Sequence, residues 1–200
     1  IGEVAACPPD RLAAELGSWA GELQALARGE DDRPVETGGE AKSMSRETTF
    51  TVFLADRERI ESVLLALADD VADKRRADGL TARVVTLKVR DETFKTVTRE
   101  ATLARPADLG ETFYAETVRL FREKVSLGGR KVRLLGVGAT GLAQRDAGQQ
   151  ALFPDRAEDK RRRAAVAVDR VKKKFGEDAV TRARLLKSRG LSGRGGWEGS

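Results

Sequence analysis

Ala82-Arg-Val-Val-Thr-Leu-Lys-Val-Arg90 alternates between apolar and polar side chains, with Val85, Leu87 and Val89 on one face and Val84, Thr86, Lys88 and Arg90 on the other. A period of two marks a strand with one face on a core. Asp91-Glu92 makes a tight connection, and Phe94 to Leu103, rich in threonine, reads as the returning strand. Upstream, Asp56 can cap a helix whose apolar positions are Ile60, Val63, Leu64, Leu67, Ala68 and Val71, ending at Gly79. A polar strand, Lys42 to Phe50, precedes it. Downstream, Pro106 and Gly110 lead into a second helix through Phe113, Thr117, Leu120, Phe121 and Val125, stopped by Gly128-Gly129, and Lys131 to Thr140 is a last strand. Residues 42–141 thus read β-α-β-β-α-β, an α+β domain with a four-stranded antiparallel or mixed sheet, two helices on one face and the other face free.

The flanks have a different character. Residues 1–29 read as short helices, with Pro8-Pro9-Asp10 at a helix start, Leu12, Leu16, Trp19, Leu23 and Leu26 at helical spacing and Gly29 as a C-cap. Residues 30–41 are an acidic linker carrying Pro34, Gly38 and Gly39. Residues 142–154 are a second polar linker, ending in Gln149-Gln-Ala-Leu-Phe-Pro154. Residues 155–190 form a basic helical segment: an amphipathic helix over 155–176 carries Ala164, Val168, Val171 and Phe175 on one face, and a shorter piece covers Ala179 to Leu186. Residues 191–200 are a glycine-rich tail.

The charge follows these divisions. Residues 1–41 carry 3 basic and 9 acidic side chains, whereas residues 155–200 carry 14 and 7; the whole chain is at +5 with a pI near 9.5. A basic balance points to a polyanionic partner, although many chains of this charge have none. With one cysteine, Cys7, and no histidine, an internal disulfide, structural zinc and Ser-His-Asp chemistry all lack their groups, and a reducing cytoplasm is the expected location. No apolar run approaches the roughly 20 residues of a membrane span, so no membrane partner is expected. A chain that starts at Ile1 reads as a piece of something longer.

The free sheet face suits a phosphodiester backbone, because threonine hydroxyls, Lys88 and Arg90 can donate to phosphate oxygens without reading bases. Thr96 and Thr98 share a parity on the third strand, and Gly136 and Gly138 share one on the last, where glycine lets another backbone come close. The plain alternative is a solvated sheet face. Arg99 shares parity with Val97, Ala101 and Leu103, so it needs a bulge or an edge position to reach solvent. Phe94 is the lone aromatic of the third strand, which favours duplex tracking over base stacking.

Lys42-Ser-Met-Ser-Arg-Glu-Thr-Thr-Phe50 and Arg133-Leu-Leu-Gly-Val-Gly-Ala-Thr-Gly-Leu142 resemble the first and last strands of the little-finger domain of Y-family DNA polymerases of the DNA polymerase IV (DinB) type. Thr86-Leu-Lys-Val-Arg90 and Lys95-Thr-Val-Thr-Arg99 resemble that domain's central hairpin. Ala27-Arg-Gly-Glu-Asp-Asp-Arg-Pro-Val-Glu36 resembles the end of the family's thumb and its tether, and Ile1-Gly-Glu-Val-Ala-Ala6 the last part of the thumb's helix-hairpin-helix; Glu30 departs from the apolar residue expected there. The resemblance implies an error-prone translesion polymerase whose thumb remnant (1–29) and little finger hold primer–template DNA. It places DNA contacts at Ser43, Ser45, Arg46, Lys88, Arg90, Thr96, Thr98, Arg99, Gly136 and Gly138. The family keeps its catalytic carboxylates and Mg2+ in a palm domain that this stretch does not match. No catalytic or metal-binding residue is therefore expected here, no cofactor is expected in the fragment itself, and the acidic pairs Asp31-Asp32 and Asp69-Asp70 read as structural.

Gln149-Gln-Ala-Leu-Phe153 fits a peptide for the bacterial sliding clamp (the β subunit): Gln149 can bond a pocket rim while Leu152 and Phe153 bury apolar surface. The alternative is a staple tucking the linker onto the domain. The basic helix reads either as extra phosphate contact, whose removal would weaken DNA binding and flatten its salt dependence, or as a solvated face. Two other functional readings stand: a catalytically dead Y-family relative that recruits partners to the clamp, and a free-standing nucleic-acid module.

Overall fold

The computed structural model describes residues 1–34, 43–145 and 156–189. The chain divides into two units, Ile1–Glu40 and Ala41–Ser200. In the first, α1 (Gly2–Ala6), α2 (Pro9–Leu16), a 3-10 turn (Gly17–Trp19) and α3 (Ala20–Arg28) follow one another. Pro9 opens α2, where a missing N–H costs nothing. Leu12 and Ala20 are buried, and the buried Gln24 donates its side-chain amide to the carbonyl of Cys7 at 2.6 Å. That bond ties α3 to the chain between α1 and α2.

The second unit contains β1 (Ser43–Leu54), α4 (Arg57–Ala77), β2 (Leu80–Asp91), β3 (Thr96–Ala107), α5 (Gly110–Lys124), β4 (Val132–Gln144), α6 (Arg156–Phe175) and α7 (Ala183–Arg189). The four strands lie in the order β1-β4-β2-β3, and every neighbouring pair is antiparallel. β4 separates β1 from β2, and β2 separates β3 from β4, so the two β-α-β units interlock. The sheet is antiparallel throughout. α4 starts where the sequence places it: the Asp56 carboxylate accepts from the backbone N–H groups of Glu58 and Arg59. Gly79, just past the helix, has φ +68°, a conformation that glycine adopts at little cost.

Ile60, Leu64 and Val71 of α4, Phe113 of α5, Val85, Leu87 and Val89 of β2, and Leu135 and Val137 of β4 form the core between sheet and helices. Each such side chain contributes about 1.5–3 kcal/mol of transfer free energy. Arg75 extends the stripe one turn beyond Val71 and is fully buried. Its Nη2 donates to the Ala139 carbonyl at 2.7 Å, its guanidinium lies 5.9 Å from the Phe113 ring centre, and burial pushes its pKa down to about 10. A charged letter at that position gave no sign of a core residue.

The strands run longer than the sequence pattern predicts. β1 continues past Phe50 to Leu54, and β4 past Thr140 to Gln144, into the segment read as linker. β3 includes Pro106, which was expected to lie in a connection; β3 is one of the two outer strands, where a residue without an N–H leaves no inner ladder bond unmade. α6 and α7 pack on the outside of the helical layer: Asp169 pairs with Arg76, Lys172 with Asp73, Arg162 with Asp108, Arg182 just before α7 with Asp69, and Arg184 of α7 with Glu61. No described helix is long and apolar enough to cross a membrane.

Candidate nucleic-acid interface

The strand registers arrange the uncovered sheet face into four rows, each crossing β1, β4, β2 and β3: Ser43–Thr140–Val84–Thr102, Ser45–Gly138–Thr86–Glu100, Glu47–Gly136–Lys88–Thr98, and Thr49–Leu134–Arg90–Thr96. Eight of the ten residues expected to contact DNA fall in these rows: Ser43, Ser45, Lys88, Arg90, Thr96, Thr98, Gly136 and Gly138. The other two do not. Arg46 and Arg99 lie at the two ends of the row Arg46–Val137–Leu87–Arg99, which faces the helices. Both are exposed because they sit on edge strands. Arg99 turns its Nε to the Lys124 carbonyl at the end of α5, 3.0 Å away. Burial raises the pKa of Asp70 on α4, and the charge of Arg46 works against that rise. Parity alone would have separated Arg46 from Ser43 and Ser45.

Two carboxylates that the sequence reading passed over also lie on this face. Glu47 spans Gly136 to reach Lys88, with Nζ 2.9 Å from Oε1 and 3.0 Å from Oε2. Thr86 donates its hydroxyl to Glu100 at 3.0 Å, and Arg90 Nε donates to the Thr96 hydroxyl at 2.7 Å. Gly136 therefore has a cause other than the approach of a ligand: a Cβ there would stand 2.8 Å from Cγ of Glu47. Gly138 is flanked by Cβ of Ser45 and of Thr86, at 3.4 and 3.5 Å from where its own Cβ would be. The middle of the face is hydroxyl-lined and close to electroneutral, with Lys88 and Arg90 set against Glu47 and Glu100.

At the end of the sheet, Arg90 pairs with Leu134 but Asp91 with Val132, so Arg133 is the extra residue of a bulge. Its guanidinium lies 4.5 Å from the ring centre of Phe94 and 5.5 Å from that of Phe53.

The acidic pairs do not fit a magnesium site. Asp31 is gripped by the fork of Arg33, at 2.7 Å from both Nε and Nη2, which holds its pKa down to about 2. Asp69 is gripped by Arg182 at 2.6 and 2.8 Å. Two carboxylates converging on open space are what a divalent ion needs, and one of each pair, Asp31 and Asp69, is already held by a guanidinium group. Gln149, Leu152 and Phe153 lie outside the described residues.

Residues 41–152 match the model of the impB/mucB/samB family C-terminal domain. The chain is similar to a DNA polymerase IV of Caulobacter vibrioides, 37% identical over 191 residues that cover 94% of this chain and 46% of the relative. It is also similar to a DNA polymerase IV of Streptomyces coelicolor, 40% identical over 161 residues, covering 80% and 33%. With DNA polymerase IV 1 of Mesorhizobium japonicum it shares 34% identity over 180 residues, covering 90% and 41%. The chain spans less than half the length of these relatives.

Proposed function

This chain belongs to the impB/mucB/samB family, whose C-terminal domain it carries, and from that premise we propose that it is the part of a translesion DNA polymerase IV that holds primer–template DNA and the sliding clamp. Phosphoryl transfer and its Mg2+ belong, on this reading, to the remaining length of such polymerases, and this fragment alone does not polymerise. The observation that carries the reading is the four-row face: serine and threonine hydroxyls with Arg90 and Lys88, on a sheet whose other side packs its core against α4 and α5. Such a surface offers neutral and charged donors to phosphates and little that distinguishes one base from another. The segment Gln149–Phe153 supports the clamp partner through its residue types.

Fluorescence anisotropy of a labelled primer–template duplex against this chain tests the DNA contact. Arg90→Ala should weaken binding about equally for unrelated sequences and reduce the slope of log K against log salt by about 1. An unchanged affinity and slope would remove the face from the interface.

A further inference from the structure

The bulged Arg133, with Phe53 and Phe94, lies beyond the Arg90–Thr96 row, outside the four-row face. Phe94 is 63% exposed and has φ +65°. That conformation is uncommon outside glycine, asparagine and aspartate, and a bulky side chain gains nothing from it locally. The turn that imposes it is rigidly held. The Asp91 carboxylate accepts from the Thr93 N–H, the Thr93 hydroxyl, the Lys95 N–H and Arg130 Nε, and the Phe94 N–H donates to the Asp91 carbonyl. The ring is thus displayed on a fixed turn, underpinned by a cation. Arg133 has no carboxylate partner among the described residues.

We infer that Phe94, backed by Arg133, is a stacking platform for one unpaired base of single-stranded nucleic acid adjoining the duplex; this rests on the duplex reading of the sheet face. A flat ring accepts any base, because every base has a π-face, and the cation beside it suits the phosphate that accompanies the base. An apolar peptide would match the ring but leave the cation without a partner. One strongly exposed ring at the sheet's end, in place of two or three in its middle, fits a junction at which a duplex gives way to one strand.

The test compares binding of this chain to a blunt duplex and to the same duplex carrying a single-stranded 5′ extension with 2-aminopurine at its first unpaired position. The unsubstituted chain should bind the extended DNA about tenfold more tightly than the blunt one, the worth of one stacked base, and quench the probe. Phe94→Asn suits the left-handed backbone and removes the ring. It should abolish both the preference and the quenching while leaving blunt-duplex affinity unchanged; Phe94→Trp should retain both. A preference that survives Phe94→Asn overturns the inference. So does binding of the unsubstituted chain to the blunt duplex with no gain from the extension. Failure to bind either DNA overturns the duplex reading and this inference together.

Discussion

Glu47 shows how one residue changes the meaning of its neighbours. By parity it belongs with Ser43 and Ser45, and its side chain crosses Gly136 to hold Lys88 on both carboxylate oxygens. A phosphate that recruits Lys88 has to displace this carboxylate and sit beside it. Glu47→Gln should therefore tighten duplex binding severalfold and steepen its salt dependence by up to about one ion, read by anisotropy over a salt series. Weaker binding would mean that Glu47 positions Lys88 for DNA. Asp91 acts at the same scale. Hydrogen bonds from Thr93, the Arg130 guanidinium and the Lys95 N–H hold its carboxyl below its ordinary pKa. A depressed carboxylate stabilises the fold fully above its unfolded value, near pH 4, and loses that contribution as pH falls through the folded value. Thermal melts should show Asp91→Asn less stable than the unsubstituted chain at pH 7, with the gap closing below about pH 4.

At the scale of elements, α6 is held differently from α4 and α5. Those two bury apolar faces against the sheet, whereas no residue of α6 is buried. Its attachments are ionic: Arg161 to Glu111, Arg162 to Asp108, Asp169 to Arg76 and Lys172 to Asp73, all at 2.6–2.9 Å. Each pair has at least one partly exposed partner and is therefore screened by salt. Raising NaCl to about 1 M should increase amide exchange over residues 156–175 while the strands keep their protection, and equal protection at both salts would show that apolar packing holds the helix. These cations face the domain's own acidic helices, on the side of the sheet away from the four rows. That favours an intramolecular strap over the extra phosphate contact considered from the sequence.

At the scale of the whole molecule, the proposed function couples two weak attachments. On that reading a peptide as short as Gln149–Phe153 would bind a clamp at about micromolar strength, and simultaneous grip on DNA would raise the effective affinity without new contacts. Leu152→Ala combined with Phe153→Ala should abolish clamp binding in a pull-down on purified clamp and leave duplex affinity intact. Loss of both would indicate misfolding, and loss of neither would reassign the motif to a staple.

Sequence periodicity by itself determined the element order, the two helical stripes, the Asp56 cap and the alternation on β2, because these depend on spacings within one segment. The ten candidate contacts came from the family resemblance, and the strand registers put eight of them on the open face. Tertiary structure alone decided which strands neighbour one another, and with that the Glu47–Lys88 bridge over Gly136, the burial of Arg75, the pairing of the basic tail with acidic helices and the stack of Phe94 on Arg133. Each of these joins residues far apart in the chain, and a pair potential between distant side chains leaves no local trace in the order of the letters.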